Sequence, residues 1–216
     1  MDIARFIDHT LLRADATEAD VRRLCQEAVR CGFFAVCVNP SFVERARGFV
    51  AGSPVKVVTV VGFPLGAGLT EVKVYGAMRA ALAGADELDV VINIGAAKEG
   101  RWRAVRRDLS DVVAATRGLV HKAIIECFYL SEDEKRRAAE AALEAGAALV
   151  KTSTGYAPGG ATVEDVRLIR SVVGDRAGVK AAGGIRTYEQ ALLMIEAGAT
   201  RIGTSSGVAI ITEGAK

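Results

Sequence analysis

The chain has 216 residues, half of them hydrophobic and a quarter charged, with a formal net charge of +2. A chain of this length can bury roughly 70% of the surface it exposes when unfolded, so it builds a core without disulfides or metals, which excludes disorder and stapled mini-protein scaffolds. The charge is dispersed, with no basic block longer than the pairs at Arg22 and Arg23, Arg106 and Arg107, and Arg136 and Arg137, so nucleic-acid binding gains no electrostatic support. Charged residues interrupt every apolar run before it reaches the ~20 residues of a membrane span. Cys25, Cys31, Cys37 and Cys127 show no Cys-x-x-Cys spacing, and the opening residues lack a signal-peptide apolar region. The expectation is a reduced, cytoplasmic protein that binds neither membrane nor nucleic acid.

In chain order, short β-branched runs alternate with longer amphipathic ones. The spacing predicts strands over Phe6–Thr10, Phe34–Val38, Lys56–Val61, Glu87–Ile92, His121–Glu126, Ala148–Lys151, Gly178–Ala181 and Thr200–Gly203. The first of these also reads as a helical turn capping a barrel. A helical pattern follows each strand. Ser41 with Glu44, Ser131 with Glu134, and Thr187 with Gln190 read as capping boxes, in which hydroxyl and N3 side chain each satisfy an orphan amide. Three helix ends share the sequence Ala-Gly-Ala, at Gly84, Gly146 and Gly198, with glycine where a left-handed residue closes the helix. No linker divides the chain, so residues 1–216 are expected to form a single α/β domain. Eight β-α units favour a closed (β/α)8 TIM barrel with a parallel eight-stranded core. An open doubly wound sheet is the alternative, but its glycine fingerprint is missing: Gly66-Ala67-Gly68 is followed by Glu71 where a third glycine belongs.

In a barrel the carboxyl ends of the strands carry the chemistry. Arginine outnumbers lysine by more than two to one, yet Lys151 and Lys180 close two successive apolar strands and lead into glycine-rich loops. A single such lysine commonly snorkels to water; a pair points to a site. Two neighbouring ammonium groups disfavour each other's charge, and burial pushes the same way, so each lysine should lower the other's proton affinity. Roughly 4 kcal/mol of such destabilisation moves an amine by about three pH units. A neutral amine at neutral pH attacks carbonyls, and the resulting iminium is an electron sink for carbon-carbon bond cleavage or formation.

Asp89 lies inside an apolar run and needs a cation in the barrel, either as a proton shuttle or as a structural ion pair. Asp86 reads as the strand entrance. Lys122 and Glu126, with even spacing, are expected to point inward as a supporting pair. Gly183-Gly184-Ile185-Arg186 and Gly203-Thr204-Ser205-Ser206-Gly207 end the last two strands and suit a phosphate group, through backbone amides and a helix N-terminus. His9 and His121 are too few for a metal triad, so no metal and no cofactor are expected. Cys37 reads as a small buried hydrophobe on a strand facing the cavity, and Trp102 with its arginines as a solvated helix face.

The stretches Ile7-Asp8-His9-Thr10-Leu11-Leu12, Cys37-Val38-Asn39-Pro40, Val61-Gly62-Phe63-Pro64-Leu65-Gly66, Glu87-Leu88-Asp89, Lys122-Ala123-Ile124-Ile125-Glu126, Lys151-Thr152-Ser153-Thr154-Gly155, Lys180-Ala181-Ala182-Gly183-Gly184-Ile185-Arg186 and Gly203-Thr204-Ser205-Ser206 together resemble the deoxyribose-phosphate aldolase family over nearly the whole chain. That resemblance implies a metal-free barrel, cytoplasmic, dimeric or tetrameric, that cleaves 2-deoxy-D-ribose 5-phosphate to D-glyceraldehyde 3-phosphate and acetaldehyde. It implies that Lys151 forms the Schiff base, Lys180 lowers its proton affinity, Asp89 moves protons with a water, and Asp8 supports that relay. Thr10 and Asn39 would handle substrate hydroxyls, with Lys122 counted among the substrate-binding residues. Gly155, Gly183, Gly184, Arg186, Gly203, Ser205 and Ser206 would hold the phosphate. Two departures stand out. Tyr156 replaces a lysine found in some members, removing one charged phosphate contact, and the sequence runs to Ala215-Lys216 without the terminal tyrosine that assists proton transfer in others. A transaldolase-like enzyme and a non-catalytic sugar-phosphate-binding barrel are the competing readings.

Overall fold

The computed structural model describes residues 2–214, and the departure at Ala215-Lys216 lies outside them. Eight parallel strands, β1 (Ile7–Leu11), β2 (Ala35–Val38), β3 (Lys56–Val61), β4 (Glu87–Val91), β5 (Val120–Ile124), β6 (Leu149–Lys151), β7 (Gly178–Ala182) and β8 (Arg201–Thr204), close into a barrel in sequence order. Around them run α1 (Glu18–Cys31), α2 (Val43–Phe49), α3 (Thr70–Leu82), α4 (Ile94–Lys98), α5 (Trp102–Ala115), α6 (Glu132–Glu144), α7 (Val163–Val173), α8 (Tyr188–Glu196) and α9 (Gly207–Gly214). The (β/α)8 expectation holds, and the open sheet is overturned by the pairing of β1 with β8. The strand reading of the first segment holds over Ile7–Leu11 and the helical one does not; a 3₁₀ turn over Ile3–Phe6, capped by Asp2, precedes β1 and leads directly into it.

The expected capping boxes at Ser131 and Thr187 form, and Thr17 with Asp20 makes a further one at the start of α1. The box at Ser41 does not. Asn39-Pro40 starts a 3₁₀ turn over Pro40–Phe42, which places Ser41 inside that turn instead of at an extended N-cap. Gly84, Gly146 and Gly198 all take positive φ, at 98°, 90° and 111°, as the repeated Ala-Gly-Ala endings predict.

The main core lies between barrel and helices, where strand residues such as Val36, Val57, Leu88, Val150 and Ile202 meet helical Val21, Ala77, Val105, Val112, Ala138 and Ile169. Each of the larger of these contributes about 1.5–3 kcal/mol of burial. Trp102 joins this core half-buried, which corrects its placement on a solvated face; its neighbours Arg101, Arg103, Arg106 and Arg107 remain exposed. Inside the barrel the wall is divided by chemistry. Ala35, Cys37, Val58 and Val60 on β2 and β3 form a small apolar cluster, while the remaining strands contribute Asp8, Glu87, Asp89, Lys122, Lys151, Lys180 and Arg201, all buried.

Candidate active site

Strand register brings the charged residues together. Lys151 on β6 is the lateral partner of Lys180 on β7, and Asp89 on β4 that of Lys122 on β5. Asp89 Oδ2 accepts from both Lys151 Nζ and Lys180 Nζ at 2.8 Å, and its Oδ1 accepts from Lys122 Nζ at 2.7 Å. Lys180 also donates to Asp8 Oδ2 at 2.5 Å. Beneath this layer Lys122 reaches Glu87 Oε2 at 2.6 Å, and Arg201 bridges Asp8 at 2.9 Å and Glu87 at 3.2 Å. Desolvation at such a site penalises every isolated charge, so the groups persist because each meets an opposite one.

The electrostatics are asymmetric. Burial strips water from the Lys151 amine and lowers its proton affinity; Asp89 opposes this, and Lys180 adds to the lowering. Burial also disfavours charge on Lys180, but Asp8 and Asp89 outweigh it and raise that amine above its ordinary value. The expected mutual depression is therefore one-sided, because Lys180 touches two carboxylates and Lys151 shares one. Burial would lift both carboxyls, yet Lys122, Lys151 and Lys180 hold Asp89 well below the usual range, and Lys180, Lys122 and Arg201 hold Asp8 below it. Cys37 is fully buried, its thiol pushed up to about 11 by desolvation, as a small core residue would be.

Lys151 opens onto a cavity of about 350 Å³ at the carboxyl ends of the strands. Of the residues expected around a substrate, Thr10, Gly155, Gly183, Gly184, Arg186, Gly203 and Ser205 line it. The loops after β6 and β7 touch backbone to backbone: a Cβ on Gly160 would lie 2.3 Å from Gly183 O, and Gly183 itself has φ 91°. Only glycine permits that approach. Arg186 is exposed at the rim and has no ion-pair partner among the described residues, whereas Arg13, also at the rim, is held by Asp15 and Asp20 at 2.8 and 2.5 Å.

Three expected residues stand apart from the cavity lining. The Asn39 amide donates to Leu12 O at 3.2 Å and braces the loop after β1. Lys122 lies fully buried beneath Asp89, and the Ser206 amide is taken by the Thr204 hydroxyl at 2.9 Å. Lys122 also does not pair with Glu126. The chain leaves β5 at Ile124, and Glu126, with φ 54°, turns its carboxylate onto the Thr154 amide and hydroxyl, at 3.1 and 2.5 Å from Oε2. Asp86 sits at the strand entrance as expected, accepting from Val57 N at 2.7 Å and pairing with Arg47.

Glu87, Arg201 and Tyr156 were not anticipated as parts of this assembly. Glu87 precedes Asp89 by two residues, so strand alternation alone places both on one face. Tyr156 forms part of the cavity wall, packs edge-on against Phe63 with centroids 5.3 Å apart, and donates its hydroxyl to Leu12 O at 2.6 Å.

Comparison with known proteins places this geometry in a family. The model of the DeoC/LacD family aldolases matches residues 3–213. A deoxyribose-phosphate aldolase of Thermococcus gammatolerans is 60% identical over 220 residues, covering 100% of this chain and 97% of the relative. One from Deinococcus radiodurans is 55% identical over 214 residues, covering 99% and 97%. The solved tetrameric deoxyribose phosphate aldolase of Aeropyrum pernix superposes with a TM-score of 0.93 at 37% identity, covering 99% of this chain and 91% of that one. The chain belongs to the DeoC/LacD family of aldolases.

Proposed function

We propose that the chain is a Schiff-base lyase that reversibly cleaves 2-deoxy-D-ribose 5-phosphate to D-glyceraldehyde 3-phosphate and acetaldehyde. The observation that carries this reading is Lys151, a buried amine of lowered proton affinity that opens onto the cavity while its neighbour Lys180 keeps its charge. In the proposed sequence the neutral Lys151 attacks the aldehyde carbon of the open-chain sugar, and loss of water from the carbinolamine leaves an iminium. Asp89, acting through a water, takes the proton of the hydroxyl next to the breaking bond. The bonding pair then moves into the iminium to give an enamine, and glyceraldehyde 3-phosphate leaves. Protonation of the enamine and hydrolysis of the imine release acetaldehyde and restore the amine.

Asp8 supports the relay by holding Lys180. Thr10, at the cavity wall, is proposed to meet a substrate hydroxyl. Gly155, Gly183, Gly184, Gly203 and Ser205, with the Arg186 guanidinium, are proposed to hold the phosphate, and the start of α9 favours the anion. Sodium cyanoborohydride with acetaldehyde should deposit an ethyl group on Lys151, read by mass spectrometry of peptides. Adduct on Lys122 or Lys180 instead, or none, overturns the assignment.

The same reading includes a homodimer or homotetramer. Leu69, Val72, Tyr75, Met78 and Leu82 leave one side of α3 apolar and exposed, and such patches mark association surfaces. A monomer in light scattering at micromolar concentration overturns this part.

A further inference from the structure

The sealed floor of the barrel holds four basic groups, Lys122, Lys151, Lys180 and Arg201, against three carboxylates, Asp8, Glu87 and Asp89, all of them buried. Fully ionised, the cluster would carry one uncompensated positive charge in a region from which water is removed. Buried net charge is strongly unfavourable, and a titratable member neutralises in response. The cluster balances when one basic group gives up its proton. Arg201 cannot, being a guanidinium; it also lies over the Phe34 ring, 3.4 Å from the centroid, a placement that favours a cation. Lys180 contacts two carboxylates and Lys122 three. Lys151 contacts a single oxygen, Asp89 Oδ2, already shared with Lys180, and it alone of these groups borders the cavity through which a proton leaves.

We propose that Arg201 and Glu87, neither of which lines the cavity, are positioning residues that set the protonation state of Lys151 through the charge balance of the cluster. The inference rests on the function proposed above. The groups acting on Lys151 directly are Asp89 on β4, Lys180 on β7 and Cys37 on β2, and the other buried titratable groups of the barrel interior are Asp8 on β1, Glu87 on β4, Lys122 on β5 and Arg201 on β8. Thr59 of β3 turns away to Val38 O, Glu126 faces Thr154, and Arg13 and Arg186 stand at the solvent rim.

The two residues have opposite charge, so their removal has opposite effects. Arg201→Gln leaves three amines against three carboxylates, a set that balances with Lys151 protonated. Glu87→Gln leaves an excess of cations even after Lys151 is neutral. One charge at roughly 10 Å and an effective dielectric constant of about 20 moves a titration midpoint by about one pH unit. The test is the rate of reductive ethylation at Lys151 by acetaldehyde and cyanoborohydride as a function of pH, in the full chain. Its midpoint should rise by about one unit in Arg201→Gln, fall by about one unit in Glu87→Gln, and return to the parent value in the charge-preserving Arg201→Lys. Glu87→Gln, nearly isosteric, keeps the test available should Arg201→Gln fail to fold. A purely structural role for these residues would lower the amplitude without moving the midpoints in opposite directions, so midpoints that stay fixed or shift together overturn the inference. Failure of the parent chain to form any adduct at Lys151 overturns the underlying function instead.

Discussion

Replacing Lys180 with methionine removes the ammonium that shares Asp89 Oδ2 with Lys151, each nitrogen lying 2.8 Å from that oxygen. The two nitrogens are thus ~4–5 Å apart, and at an effective dielectric constant of about 20 their repulsion amounts to roughly 3–4 kcal/mol. Without it, Lys151 has Asp89 Oδ2 to itself, with Lys122 still held on Oδ1, and the amine holds its proton more tightly. The pH midpoint of activity should rise by about 2–3 units, which at neutral pH is a loss of roughly 100-fold or more. The assay is the pH profile of kcat/KM for cleavage of 2-deoxy-D-ribose 5-phosphate, with circular dichroism to confirm folding. Folding needs that check because Asp8 and Asp89 lose a buried partner, a change that costs about 3–5 kcal/mol. Partial recovery at alkaline pH is the expected signature. An unmoved midpoint, or full activity at pH 7, refutes the reasoning.

Arg186→Leu should raise KM for the phosphorylated sugar by about 10-fold while leaving reductive trapping of acetaldehyde at Lys151 unchanged, because a single charge-assisted contact to phosphate is lost; an equal effect on both readouts would place Arg186 outside the phosphate site. Lys73→Met should lower the melting temperature by about 10 °C in calorimetry, because Lys73 and Asp108 form a buried pair at 2.6 Å that also ties α3 to Val91 O on β4, and breaking such a pair costs about 3–5 kcal/mol. The double change Lys73→Met with Asp108→Leu should recover most of that loss, and a single variant melting like the parent contradicts the assignment. The folded-state pKa values of Asp8 and Asp89 are depressed, so their contribution to stability is complete above the unfolded carboxylate value near pH 4 and disappears as pH falls through the folded values. Urea midpoints should therefore hold steady down to about pH 4 and then decline; a midpoint that rises on acidification reverses the sign.

The β-α alternation made the barrel legible because each strand is a short apolar run bounded by its own turn residues, and all eight appear within two residues of their expected starts. Lys151, Lys180 and Asp89 were legible for a related reason, since a charge inside such a run has nowhere to go but the barrel interior. Sequence does not carry the lateral register that closes β8 onto β1, and that register is what brings Arg201 to Asp8. Glu126 illustrates a second limit. Even spacing from Lys122 predicts a shared face only while the strand continues, and one left-handed residue at the strand end redirects the side chain to Thr154. At Ser41 the preceding Pro40 determined the local backbone, and the hydroxyl pattern that resembles a cap was overridden by it.

The proposed chemistry depends on the order in which two adjacent amines lose their protons. Lysine labelled with carbon-13 at Cε, with the Lys151 and Lys180 resonances assigned by single substitution to arginine, gives that order directly from an NMR pH titration of the unliganded protein. Lys151 should titrate below the ordinary lysine range of about 10.4 and Lys180 above it. Titration of Lys180 before Lys151, or of both together at the ordinary value, contradicts Lys151 as the nucleophile.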